Sequence, residues 1–443
     1  MLPDAHQTRG VESMMSFMKR LWRDKRGNAL MIAGAALPMV VGAAGLATDT
    51  IQWTLWKRQL QRAADSAAIA GVYDRSSTPG GATTTVATTV THDTSLNLHT
   101  WMALKNAPVV TFPVDSGAMT LQVEVTLAVQ QPLAFSSFFM STAPTITASS
   151  TAASVPAGGD ACMNAREPNA NKTGVNFTGN AGIDMPDCVI YSNSPSTNSA
   201  SAGGSSNVIA EAVAGVGGIA QSNNWHVDAY RPYSPAIDDP FANINPAPSD
   251  MQCVGSELNE STNVTAMRAS GTNCWSSLRV GPTGSLNLDP GTYYINGGDA
   301  FIQGDLSCTG CTIVLTNSDT ASNASIGQFK VNADAHTNLT APTSGTFQGI
   351  AIFQDRRAVD TNQDNKVNGN SGSMILGALY FPSQQLDYNG TGTTDAICTM
   401  FVARRLKFSG NSTTTNKFKK LSDCSAYGIP SGGNATRMIR LVA

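Results

Sequence analysis

From Gly27 to Thr48 the chain runs GNALMIAGAALPMVVGAAGLAT, 22 residues without a charge, and no other feature constrains its fold as strongly. At 1.5 Å per residue a helix of that length spans ~33 Å, enough to cross a hydrocarbon core of ~30 Å. Lys19, Arg20, Arg23, Lys25 and Arg26 stand immediately upstream. Trp53 and Trp56 follow at interfacial depth, ahead of the weaker basic cluster Lys57, Arg58 and Arg62. The heavier positive charge on the amino side predicts a cytoplasmic amino terminus, with the bulk of the chain across the membrane. Two competing readings are a buried helix of a soluble core and a signal peptide cleaved near Gly45-Leu46-Ala47. Against the second, the apolar run exceeds the ~7–15 residues usual for such signals. Pro38 lies mid-span, where a kink is tolerated if neighbours or water satisfy the freed carbonyl. Ala29/Ala33 and Ala43/Ala47 form small-xxx-small pairs that would let a second helix approach closely.

The helical pattern continues past the span. Trp53, Trp56, Leu60, Ala63/Ala64 and Ala67 recur at three- and four-residue spacing, while Gln52, Lys57, Gln59, Arg62 and Asp65 occupy the other face. We therefore expect one helix of roughly 45 residues, half in lipid and half above it. Its alanine-rich outer stripe suits tight packing, either on the next part of the same chain or on a partner subunit.

Charge and cysteine divide the chain unevenly. Residues 1–75 carry ten basic and six acidic residues, a balance of +4 that leaves −7 for the rest. With 28 Lys+Arg against 31 Asp+Glu overall, affinity built on phosphate neutralisation is not expected, and nucleic acid is set aside as a partner. All eight cysteines (Cys162, Cys188, Cys253, Cys274, Cys308, Cys311, Cys398, Cys424) lie beyond position 160. An even count distal to a membrane segment reads as disulfides in an oxidising compartment. We expect four bridges between sequence neighbours, although eight cysteines allow 105 connectivities.

The segment from Arg26 to Gly71 resembles the amino-terminal region of TadE/TadG-like Flp pilus-assembly proteins. The matching marks are Arg26-Gly27, Leu37-Pro38, Gly45-Leu46-Ala47 with Asp49, and Leu60-Gln61 followed by Ala63-Ala64-Asp65-Ser66-Ala67-Ala68. The resemblance implies an inner-membrane protein of tight-adherence pilus assembly and surface adhesion, with its bulk in the periplasm. It also implies other Tad/Flp proteins and the lipid bilayer as partners. The small-residue stripe adds a homo-oligomer through the N-terminal helix as a further expectation. Pilin-like members carry Glu five residues after the processing glycine, where this chain has Ile32, so the TadG-like branch fits better. Many members of that branch carry a von Willebrand A domain with an Asp-x-Ser-x-Ser motif. The nearest approach here is Asp93-Thr94-Ser95-Leu96-Asn97, and that module is not expected.

The rest reads as mainly β. Charged residues are only 13%, against ~25% in ordinary domains, and the polar remainder is rich in Ser, Thr, Asn and Gly, which suits short strands and turns. Leu121–Leu127 alternates apolar and polar as a half-buried strand should. The stretch Thr142–Pro156 reads as a connector, and Val208–Ala220 as the one candidate helix of the distal chain. Beyond about 160, short apolar runs beside Gly, Asn and Ser favour a right-handed parallel β-helix, with a β-sandwich as the alternative. The expected organisation is a cytoplasmic basic segment (1–26), a transmembrane helix (27–49), a periplasmic helix extension (50–75), a small α+β domain and linker (76–158), and a disulfide-stapled β-helix-like domain (159–443). A Pro-rich insertion between rungs is expected near 230–250.

Reactive chemistry is thin. Among five histidines there is no HExxH, and neither a G-x-S-x-G elbow nor a P-loop follows any expected strand. Cys308-Thr309-Gly310-Cys311 lacks the second pair that zinc would want. Asp360, Asn362 and Asp364 place oxygen ligands at calcium-loop positions one, three and five. Asn365 stands there for the usual Gly and Ser371 for the bidentate Glu, so a solvated turn is the better reading. The dense group Asp355-Arg356-Arg357 reads as a salt-bridged turn. No enzymatic activity and no cofactor are expected beyond that calcium candidate. The rival class is a membrane-tethered carbohydrate-binding or carbohydrate-cleaving β-helix protein.

Overall fold

The computed structural model describes residues 27–261, 263–265, 272–360, 365–368, 373–389, 398–410, 416–417, 421–429 and 435–442. A single helix, α1, runs Gly27–Ser77 and includes Pro38. Its outer half packs on a small antiparallel sheet of β1 (Val109–Thr111), β2 (Thr120–Val129), β3 (Ile146–Ala165) and the last strand, Ala435–Leu441, in that order. A second helix, α2 (Val86–Asn97), covers α1 from the side. Leu60, Ala63, Ala64, Ala67 and Ala68 of α1 form one core with Val86 and Val90 of α2, the inward residues of β2, and Ala148 and Ala152 of β3. Small side chains let the helix approach the sheet closely. At Gly71 an added Cβ would come within 2.9 Å of Val123.

One expectation fails in this layer. Thr142–Pro156 is no connector, because β3 is the central strand there and its serines and alanines lie under the helix where larger side chains would not fit. Within the expected α+β domain and linker of 76–158, the threonine-rich stretch folds into α2, whose buried Val86, Val90 and Thr94 recur at helical spacing.

β3 is long enough to belong to two sheets. Its first half pairs antiparallel in the layer just described, and its second half, Asp160–Ala165, enters a region of parallel strands. In the principal stack the order is Trp225–Arg231, Asn207–Gly215, Gly182–Ser192, β3, Thr399–Phe408, Met374–Asn389, Ile350–Gln354, Cys311–Thr316, Gly291–Asn296 and Cys274–Trp275, every pair parallel. Two further parallel stacks flank it, one centred on Ala300–Ile302 and Phe329–Val331, the other on Asp305–Thr309 and His336–Thr340. Side chains from the three stacks share one continuous core. The candidate helix Val208–Ala220 is instead the strand Asn207–Gly215, followed by turns. Burial alternates as far as Ala212, but from there to Gly215 both faces are buried, so the apolar run keeps no clean period of two.

The chain enters this stack in the middle, at β3, and proceeds to the end at Trp225–Arg231. It then crosses to the opposite end and winds back until Thr399–Phe408 lies against β3. The crossing is made by the Pro-rich segment, which runs as a strap along the outer face of the principal stack. The Tyr191 hydroxyl donates to the carbonyl of Pro235, and Asn193 exchanges two bonds with Ile237, at 2.8 and 3.1 Å. Tyr380 donates to Asp239 at 2.7 Å, Phe241 packs edge-on against Tyr380, and Asn273 donates to the carbonyl of Asp250 at 3.0 Å.

Candidate membrane-attachment site

The inner part of α1 touches nothing. Ile32, Leu37 and Met39 are 66%, 65% and 77% exposed, and Val40 and Val41 are likewise open. Ala33, Pro38, Ala43 and Ala47 are exposed too, while the side chain of Ala29 and the basic cluster of Lys19 to Arg26 lie outside the described residues. This is the one helix among the described residues that is long and apolar enough to cross a membrane. Thr48, Thr50 and Thr54 return their hydroxyls to the carbonyls four residues back, at 2.8–2.9 Å, which leaves no hydroxyl proton unpaired at the edge of the apolar run.

On one side of this bare rod a line of contact begins at Gly45 and Asp49 and passes through half-buried Trp53 and buried Trp56 into the core. Its lowest part is a collar formed by the loop after β2. The ring of Phe135 lies against Gly45 so closely that a Cβ there would fall 2.1 Å from the ring. Asp49 is only 4% exposed, and one of its oxygens accepts the backbone N–H groups of Phe135 and Ser136, at 3.1 and 2.5 Å. The carboxylate thus caps the short 3-10 turn Ser136–Phe138 and fixes it to the helix. Sequence reasoning missed the collar. Its signal is the i, i+4 pair of Gly45 and Asp49, together with a stretch from Val125 to Gly159 that holds no charged residue.

Above the collar α1 is fastened to backbone carbonyls. Lys57 donates to Thr147, Gln61 to Ser149 at 3.0 Å and Gln59 to Asn97 at 2.7 Å. The Asp93 group, the nearest approach to the von Willebrand A motif, holds the two helices together, because Ser66 donates to Asp93 at 3.2 Å and Asn97 reaches both residues.

The distal candidates are structural in their contacts. The structure pairs the cysteines as Cys162–Cys188, Cys253–Cys274, Cys308–Cys311 and Cys398–Cys424, with Cα separations of 4.2–5.9 Å. Asp360 does not face an open loop. Arg405 grips both of its oxygens at 2.7 and 2.9 Å, and that pairing holds the carboxyl below the ordinary range. Asn362 and Asp364 lie outside the described residues, and no cluster that could hold a metal occurs among those described. Asp355 is ion-paired with Arg357 at 2.8 Å, and Arg356 faces Asp239 of the strap at 3.6 Å. A cleft of about 490 Å³ opens where α1, the layer and the strap meet, lined by Arg75, Arg166 and Arg437. Arg75 and Arg437 spend their donors on carbonyls of the layer, so the cleft is a clamped seam.

No curated protein and no solved structure shows significant similarity to the chain. Residues 27–74, which span the bare rod and most of its packed extension, match the family described as "Putative Flp pilus-assembly TadE/G-like".

Proposed function

We propose that the protein is a non-enzymatic, inner-membrane component of Flp/Tad-type pilus assembly, which contributes to pilus biogenesis and adhesion by binding other assembly proteins. The observation that carries this reading is the division of α1: an apolar inner part, left bare from Ile32 to Val41, then an outer half locked to its own sheet, all within the family segment. Such a helix attaches a rigid body to a bilayer in a fixed posture. The amino terminus would be cytoplasmic and the cysteine-bearing part periplasmic, following the basic residues before Gly27. We read the parallel stacks as the walls of a right-handed parallel β-helix, a reading their registers favour over an antiparallel sandwich. Against the carbohydrate-cleaving alternative stand the ion pairs of Asp355 and Asp360 with arginines, since a glycosidase needs two free carboxyls flanking the bond it cuts.

A deletion strain, scored for surface pili and attachment, tests the function. We expect loss of both, restored by the full chain and not by a version lacking residues 27–71. Normal piliation in the deletion would remove the reading. A periplasm-only reporter fused after Ala443 should be active, and silence would reverse the orientation.

A further inference from the structure

The collar loop has a second face. Phe138 and Phe139 are 83% and 71% exposed and Met140 is 43% exposed, three consecutive large apolar side chains without cover at the tip of a loop that is otherwise fastened down. The fastening sets their height, since Phe135 rests on Gly45 and the turn hangs from Asp49. Gly45 lies three residues inside the end of the uncharged run at Thr48, which at 1.5 Å per residue puts the contact ~5 Å into the apolar zone. The nearest polar anchors stand above it: Lys57 is bound to the carbonyl of Thr147, and Lys105 to the Thr145 hydroxyl at 3.2 Å. From the tip outward the order is therefore apolar turn, buried carboxylate, ammonium groups, which is the polarity order of a leaflet from acyl chain to headgroup.

We infer that the turn Phe138–Met140 is a second membrane contact, seated in the acyl region of the leaflet beside α1. Lipid is assigned as the occupant because the patch is continuous with the membrane-crossing rod and lies at the depth of its uncharged residues. A protein partner would need its own apolar surface at that depth. A second point of entry beside the rod reinforces that posture by restraining the body's tilt against the bilayer. The inference rests on the reading of α1 as membrane-spanning, and the experiment separates the two.

The full chain, whose described cysteines are all in disulfides, is prepared with single added cysteines, Phe139→Cys and Met140→Cys. Val40→Cys serves as the in-span marker and Thr197→Cys as the aqueous one. Each is spin-labelled in phosphatidylethanolamine/phosphatidylglycerol nanodiscs and measured for collision with oxygen and with a water-soluble nickel chelate. The labels at 139 and 140 should favour oxygen over nickel as the label at 40 does, by several-fold relative to position 197. Nickel accessibility like that of position 197, with position 40 still in lipid, would overturn the inference alone. Shielding from both agents would mean cover by protein and would also overturn it. Nickel accessibility at position 40 would bring down the spanning reading and the inference with it. Two labelled positions guard against one variant misfolding, and a thermal midpoint within a few degrees of wild type admits each to the comparison.

Discussion

Glu167 has no exposed side-chain surface, and a buried carboxylate is tolerated only where its charge is matched. Burial would raise its pKa, but hydrogen bonds from Arg404 and Arg405, at 3.1 and 2.7 Å, together with the Asn169 N–H, outweigh burial and lower it. Arg405 carries the chain of charge on to Asp360, where Lys172 adds a third cation at 3.4 Å. Glu167 follows the end of β3, and the two arginines lie on the strand paired with β3, so the network pins β3 to a strand formed more than 230 residues later. Glu167→Gln should lower stability by about 3 kcal/mol, read from the denaturant midpoint, because it removes the buried anion gripped by Arg404 and Arg405 and leaves Asp360 to balance three cations. Both carboxyls have folded pKa values below their unfolded ones, so their contribution is complete above the unfolded values near ~4 and is lost as pH falls through the folded values. Between roughly pH 5 and pH 2 the wild-type midpoint should therefore fall more steeply than that of Glu167→Gln; parallel profiles would contradict the assignment. In the sequence the cue was Arg404-Arg405 in FVARRLKF, a run apolar apart from these two and Lys407, since adjacent cations in a buried strand imply anions elsewhere.

Elements differ in how plainly residue patterns announce them. α1 was legible because Trp56, Leu60, Ala63/Ala64 and Ala67 repeat at helical spacing, and the cysteine pairs because each joins neighbours in sequence. β3 was not, for its first half is Ala, Ser and Thr, residues that signal turns by composition and are placed here by the nearness of a helix. The last strand, Ala435–Leu441, gave no signal of its partner, which lies almost 300 residues earlier and is chosen by tertiary fit. That strand closes the outer edge of β3, and Arg437 secures it. Its guanidinium donates to Ser154 Oγ at 2.9 Å, the Ser154 carbonyl at 2.6 Å, the Ala118 carbonyl at 2.8 Å and Thr120 Oγ1 at 2.9 Å. Arg437→Ala should cost about 2 kcal/mol and speed hydrogen exchange in residues 152–160 more than in the parallel stacks. Equal protection of that stretch in both proteins would show that the strand holds without its clamp.

For the molecule as a whole, order along the stack departs from order along the chain. Each parallel strand buries its apolar side chains against its neighbours, so stability is shared between adjacent strands and does not depend on which comes first in sequence. No local pattern encodes where a stack begins, which is why the interior entry at β3 and the strap's role were illegible while most of the short apolar strands were not. The break is bridged by the pairing of Thr399–Phe408 with β3 and Val175–Phe177, by stacking of Phe177 on Phe408 at 5.0 Å, and by the Glu167 network. None of the four disulfides crosses it, since Cys162–Cys188 lies before the strap and the other three lie after its crossing. A protease site inserted between the exposed Pro248 and Ser249 therefore allows a clean test. After cleavage the two fragments should elute together under native conditions and separate in denaturant without any reductant. Native separation would show that continuity through the strap, and not strand stacking across the break, keeps the distal body whole. A cleaved protein that stays assembled and still restores piliation would show further that the strap serves as a connection and that the binding surfaces lie on the stacked strands.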